Sequence, residues 1–322
     1  LIKDINQYTA GSDPTAGVEL NGRLYFFAND GVHGGELWSM GGDGPAELVK
    51  DINPGPNGSA GGFDLLRSGS RLFFSADDGV HGLELWTTDG TADSTRLVKD
   101  IDPAGPVETI PGWGATPNAQ FLTELNGGVA FLARDGVHGQ ELWFSDGTEA
   151  GTYLVKDVNP APGADLGAAT NPYGVMYFNF LQTAGDEVFF VADDGVHGVE
   201  LWASDGTEAG THLVEDLNTL PGAVANENAG SFPYYRATLD DRVYFDAWYG
   251  KGNDFDGPLT GSFSTDGMAA GTVRHPFWMA GGAMLDGEAV GAQQRHVDSV
   301  ERRAAHEADR REFRLCAHML LC

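Results

Sequence analysis

Nine residues, Asp-Gly-Val-His-Gly-Xaa-Glu-Leu-Trp, occur four times, at 30–38, 78–86, 135–143 and 194–202. A chain that copies itself this closely builds one supersecondary unit several times over, because each unit needs a sibling to cover its apolar face. The motif constrains shape and names no ligand. Asp30, Asp78, Asp135 and Asp194 are spaced by 48, 57 and 59 residues. The variation falls in Gly/Pro/Asn/Ala-rich stretches such as 104–118 and 160–175, where loop insertions account for it.

Each unit reads as four strands. In the third, Phe121–Leu125 forms the first strand and Asn126-Gly127 a hairpin turn. Val129–Ala133, Gln140–Ser145 and Tyr153–Val158 follow as the second, third and fourth, separated by the turns 135–139 and 146–152. Connections this short dictate an antiparallel meander. The second strands are apolar at consecutive positions, as in Leu24-Tyr25-Phe26-Phe27 and Val188-Phe189-Phe190-Val191. A sheet wetted on one face alternates instead, so both faces are expected to be covered. Stacked four-stranded sheets satisfy this, and the expected fold is all-β, a β-propeller-like array of four-stranded antiparallel blades. A β-solenoid is the alternative, although its rungs are usually shorter.

Residues 236–275 read as a fifth, degenerate unit. Arg242–Ala247 matches a second strand, and Asp266 lies 61 residues beyond Asp205. An insertion, 248–261, replaces the turn motif. The expected organisation is a repeat domain over 17–276, preceded at 1–16 by a stray fourth strand and a linker. Leu1-Ile2-Lys3-Asp4-Ile5-Asn6 duplicates the fourth-strand motif at 48–53, which implies a segment upstream. Residues 277–292 read as a linker or the start of a truncated unit. Residues 293–322 form a non-repeat tail with six arginines, five acids and no glycine, helical in pattern through Val297, Val300, Ala304 and Ala308.

A net charge of −28 makes nucleic acid an improbable partner. The 41% hydrophobic content excludes global disorder, and 46 glycines fit many tight turns. The two cysteines, Cys316 and Cys322, both lie in the tail, so no disulfide is expected to hold the repeats. No apolar run is long enough to span a membrane.

Gly139–Pro160 and Gly198–Asn218 fit the pattern GxELWxxDGTxxGTxxVKDINP, and 82–103 and 34–54 fit it with changes. This resembles the bacterial ELWxxDGT repeat, also called hyalin-like. The resemblance covers roughly 17–276. It implies a secreted or surface-exposed repeat protein and no catalytic residue.

The repeated polar residues read mainly as frame. His33, His81, His138 and His197 are too regularly dispersed to share a zinc ion, whose ligands lie about 2 Å away. Each is expected to fix its own turn through a local carboxylate or carbonyl. Trp38, Trp86, Trp143 and Trp202 are expected between blades with their indole N–H groups bonded, a sugar platform being the alternative. Glu36, Glu84, Glu141 and Glu200 are four equal acids, whereas catalysis needs an asymmetric pair. The Asp-Gly turns at 89–90, 146–147 and 205–206 supply a positive φ and a capping carboxylate. Asp254 and Asp256, two apart beside glycines in the fifth-unit insertion, are the metal candidates, for calcium. No nucleophile elbow, phosphate loop or zinc-protease helix occurs.

The expected role is a non-enzymatic binding or scaffold module, acting on a protein or glycan partner through 104–118, 160–175, 219–235 and 248–261. The alternatives are a calcium-stabilised carbohydrate-binding propeller and a propeller-fold hydrolase or lyase.

Overall fold

β-Branched and aromatic runs broken by Asn-Gly and Asp-Gly turns fold locally into hairpins, and the computed structural model shows these as strands throughout. It describes residues 5–6, 11–103, 109–110, 114–115, 120–160, 181–218, 230–251, 258–275, 284–285 and 288–289. The first sheet contains β1 (Val18–Leu20), β2 (Arg23–Asn29), β3 (Gly35–Met40) and β4 (Glu47–Lys50). The second contains β5 (Ala60–Ser68), β6 (Arg71–Asp77), β7 (Leu83–Thr88) and β8 (Arg96–Leu97). A short ladder, β9 (Thr109–Ile110) with β10 (Gly114–Ala115), precedes the third sheet. That sheet contains β11 (Gln120–Leu125), β12 (Gly128–Arg134), β13 (Gln140–Ser145) and β14 (Thr152–Lys156). The fourth has β15 (Leu181–Ala184), β16 (Glu187–Asp193), β17 (Val199–Ser204) and β18 (His212–Glu215). The fifth has β19 (Tyr234–Leu239), β20 (Arg242–Lys251), β21 (Pro258–Thr265) and β22 (Val273–His275), and β23 (Met284–Leu285) pairs with β24 (Glu288–Ala289).

All five sheets keep sequence order and antiparallel pairing. Register repeats as well. Phe26, Phe74, Phe131 and Phe190 face Trp38, Trp86, Trp143 and Trp202, and Phe245 faces Phe263 in the fifth sheet. Phe263 stands where the other units carry tryptophan, so the fifth sheet, which begins at Tyr234, repeats their register with the indole replaced.

Side chains that alternate along a strand bury both faces against neighbouring sheets. Tyr25, Phe27 and Leu37 pack on Phe74 and Trp86 of the second sheet. Phe73 and Leu85, on the second sheet's other face, pack on Phe131 and Trp143. Ala130, Leu132 and Leu142 meet Phe190 and Trp202, and Phe189 and Leu201 meet Phe245 and Phe263. Neighbouring sheets touch along their first strands, β1 with β5, β5 with β11, β11 with β15 and β15 with β19. Sheets that converge on their first strands and stack through both faces are blades, and the fold is all-β and propeller-like.

The expected fourth strand of the third unit, 153–158, is β14 at Thr152–Lys156. Val158 leaves the ladder because its N–H donates to Glu141. In the fifth unit the fourth strand is Val273–His275. Of the opening motif, Ile5 and Asn6 are described. Ile5 packs on Phe26 and Trp38 as Ile52 packs on Phe74 and Trp86. Asn6 donates its amide to Gly11 O at 3.3 Å, as Asn53 does to Gly58 O at 3.0 Å. The approach to the first sheet therefore copies a crossing between sheets. The tail 293–322 lies outside the described residues.

Candidate functional site

The turn between second and third strands is built by its aspartate. Asp30 Oδ1 accepts the Val32 and His33 N–H groups at 2.9 and 2.8 Å, and Asp30 Oδ2 takes His33 Nδ1 at 2.7 Å. The same bonds recur at Asp78–His81, Asp135–His138 and Asp194–His197, with Nδ1 distances of 2.8, 2.6 and 2.7 Å. Each histidine thus bonds its local carboxylate, as expected. These hydrogen bonds hold the Asp30, Asp78, Asp135 and Asp194 carboxyls below the usual range against the opposing effect of burial. The bonded carboxylates raise His33, His81 and His138. Val32, Val80, Val137 and Val196 project from the tips, 51%, 76%, 66% and 77% exposed, so the turns present apolar points to solvent.

The glutamate at the second position of the third strand in each of the first four sheets is fully buried. Glu36 takes the Asn53 N–H at 3.1 Å and the Ser59 hydroxyl at 2.5 Å. Glu84 takes the Asp102 N–H at 3.3 Å and Glu141 the Val158 N–H at 3.2 Å. Glu200 accepts both the N–H and the hydroxyl of Ser231. All four therefore bind the chain as it crosses from one sheet to the next, a structural duty that satisfies buried backbone donors. Burial raises the Glu36 carboxyl, opposed by Ser59 and Asn53. It pushes Glu200 up to about 8, with Asp216 adding to the effect.

The crossing needs glycine where backbones meet. A Cβ on Gly58, whose φ is +71°, would lie 2.2 Å from Gly35 N, and one on Gly230 would lie 2.2 Å from Val199 N. At the other end of the third strand, Asp146 Oδ1 accepts the Thr148 N–H at 2.8 Å and its hydroxyl at 2.6 Å. Asp205 and Thr207 repeat this at 2.8 and 2.7 Å. In the second unit Ser94 replaces the turn glycine and its hydroxyl donates to Asp89 at 2.5 Å.

Trp143 and Trp202 lie between blades, under lysines of the preceding unit. Lys99 Nζ sits 5.8 Å from the Trp143 ring and donates to Thr152 O at 2.9 Å. Lys156 lies 5.9 Å from Trp202 and donates to Thr211 O at 2.9 Å. Lys50 reaches Thr95 O at 2.6 Å. At the fourth junction the lysine position is Glu215, facing Thr272, and the indole position is Phe263. Cation and indole disappear together, as a cation–π pair requires. This clasp was missed by sequence reasoning, although the paired loss was its signal. One expectation is corrected: the buried indole N–H groups of Trp38 and Trp202 have no partner among the described residues. Both rings are more than nine-tenths buried, so neither is a sugar platform.

The crossings and the histidine turns share one end of the stack. Asn53 lies against Gly79 of the next turn, Asp102 against Gly136 and Asn159 against Gly195. The described strand ends that flank the variable segments lie at this connector face. Residues 104–118 and 160–175 follow fourth strands, 219–235 joins β18 to β19, and 248–261 spans the β20–β21 connection in place of the histidine turn. Asp254 and Asp256, the calcium candidates, lie outside the described residues, as do most positions of these segments. Among the described residues no group of three or more His, Cys, Asp or Glu side chains is arranged for a metal, and no helix is long and apolar enough to cross a membrane.

No family model matches the chain, and no curated protein does. Among solved structures the chain is similar to a prolyl endopeptidase, with 13% identity and a TM-score of 0.44 over 86% of this chain and 42% of that one. It is also similar to a puromycin-hydrolyzing peptidase of Mycobacterium tuberculosis, at 13% identity and a TM-score of 0.42 over 76% and 35% of the two chains. An alpha-L-arabinofuranosidase of Clostridium thermocellum has 11% identity and a TM-score of 0.31 over 82% and 94%. The chain spans less than half the length of either peptidase. Likeness this distant carries no argument about chemistry.

Proposed function

We propose that this chain is a non-enzymatic binding or scaffold module that engages a protein or glycan partner through its connector face. The observation that supports the reading is topological: the described strand ends that flank all four variable segments lie at that one end of the stack. The repeated acids, imidazoles and indoles of the motif are engaged in turns, crossings and junctions, so they support the frame rather than a reaction. The acidic surface favours a neutral or cationic partner over a polyanion. The secreted or surface location implied by the ELWxxDGT resemblance belongs to the same proposal.

The test exchanges 104–118, 160–175, 219–229 and 252–257 for short turns. Glycan and extracellular-protein arrays then compare the two forms. The exchanged protein is expected to keep its unfolding midpoint within a few degrees and to lose every ligand that the parent retains. Ligands retained by the exchanged protein would overturn the proposal.

A further inference from the structure

The fifth sheet departs from its siblings at one cross-strand pair. One residue past the Phe–Trp pair, the preceding sheets carry Phe27–Leu37, Ser75–Leu85, Leu132–Leu142 and Val191–Leu201. The fifth carries Asp246–Ser262, and both residues are buried. Ser262 Oγ donates to Asp246 Oδ1 at 2.5 Å. Arg236 Nε donates to Asp246 Oδ2 at 2.6 Å, and Arg236 Nη2 lies 2.5 Å from the same oxygen. The β19–β20 register shifts between Tyr235 and Ala237, so Arg236 is the extra residue of a bulge, a device that re-aims a side chain. A shielded ion pair adds little stability over the apolar pair that siblings place there. What it does is hold the guanidinium in one plane.

Tyr234 stands beside this pair. It opposes Asp246 across the ladder, and the Arg236 guanidinium lies 4.6 Å from its ring centroid. Tyr234 is nevertheless 50% exposed. The guanidinium covers one face of the ring, so the other face is open. Tyr234 begins β19, and Asp246 lies in the second half of β20, so the group sits at the connector face between segments 219–235 and 248–261. Phe232 and Trp248 pack edge-to-face next to it, with ring centroids 4.8 Å apart.

A sugar ring presents apolar C–H faces and a rim of hydroxyls. Its binding sites accordingly combine an aromatic face with a few fixed polar groups. Tyr234 provides the face. Arg236 provides N–H donors on Nη1, which the bonds to Asp246 do not use. Asp246 neutralises the guanidinium, and the chain carries a net charge of −28, so a neutral sugar is favoured over a sugar acid. We infer that Tyr234, Arg236 and Asp246 form a subsite for a neutral sugar residue, with Tyr234 under the ring, Arg236 donating to its hydroxyls and Asp246 fixing Arg236. The subsite rests on the reading of the connector face as a binding surface and names the glycan within it.

The test uses the full chain on an array of neutral oligosaccharides of glucose, galactose, mannose and xylose beside their uronate counterparts. Neutral sugars are expected to bind, and Tyr234→Ala to weaken them roughly tenfold or more at an unchanged unfolding midpoint. Tyr234→Trp should retain them. Saturation-transfer NMR on the parent should place the bound sugar against the Tyr234 ring. Binding of uronates alone would overturn the subsite, as would neutral sugars held equally by parent and Tyr234→Ala. Transfer that misses Tyr234 would do so even if the variant fails to fold. Exchange of the four segments leaves residues 234, 236 and 246 in place, so the two readings fail separately. Capture of proteins and of no sugar would overturn the subsite and leave the connector face as a protein-binding surface.

Discussion

Trp143→Ala is expected to cost about 3–5 kcal/mol of unfolding free energy, the range for deleting a buried aromatic side chain. Trp143 sits in the cluster that joins the second and third sheets, among Phe73, Leu85, Val98, Ile101, Val129 and Phe131. Truncation leaves a void on a face that no solvent-exposed rearrangement fills, because sheets on either side fix its walls. It also takes away the ring beneath Lys99, whose ammonium keeps its bond to Thr152 O. Urea unfolding of the full chain checks this. A loss below about 1 kcal/mol would mean that the indole fills a peripheral cleft rather than a joint between blades.

Stability should fall as pH rises through neutrality, and Glu200 should be a principal cause. Its carboxyl is held up to about 8 in the folded chain, chiefly by burial, against an ordinary value of 4.5. Between these values the folded state keeps a proton that the unfolded state has released. The contribution of the neutral acid is complete below pH 4.5 and is lost as pH rises through about 8. The expected slope in between is about −1.4 kcal/mol per pH unit, a few kcal/mol over the whole window. Glu200→Gln keeps an acceptor for Ser231 and cannot ionise. Its unfolding free energy should therefore show a shallower dependence between pH 5.5 and 7.5. Equal slopes for variant and parent would show that Glu200 is already ionised in the folded chain.

The blades were legible because their signals are local. Consecutive apolar residues in the second strands required cover on both faces, and Phe26–Trp38 and Phe190–Trp202 pair in register as the motif implies. Asn126-Gly127 takes positive φ at both residues, 50° and 78°, the mirror-image turn that two-residue hairpins need. The Asp–His turns were legible for the same reason, since donor and acceptor lie three residues apart. The joints were not legible from single motifs. Lys50 meets Thr95 across 45 residues and Glu200 meets Ser231 across 31, and variable connections intervene. The common face of the variable segments was likewise hidden. It depends on where each crossing passes the next turn, as Asn53 passes Gly79. The connector face became visible only when the sheets were stacked.

The most direct test of the central claim, that repeated motif residues are the joints between sheets, rebuilds the fourth junction, where Glu215 and Phe263 stand in place of lysine and tryptophan. Glu215→Lys, Phe263→Trp and the double variant are unfolded in urea alongside the parent, and the coupling free energy is read from the cycle. The account predicts a favourable coupling of about 0.5–2 kcal/mol, as the new ammonium settles over the new indole and beside the carbonyl of Thr272. Additive effects, with no coupling between positions 215 and 263, would contradict it.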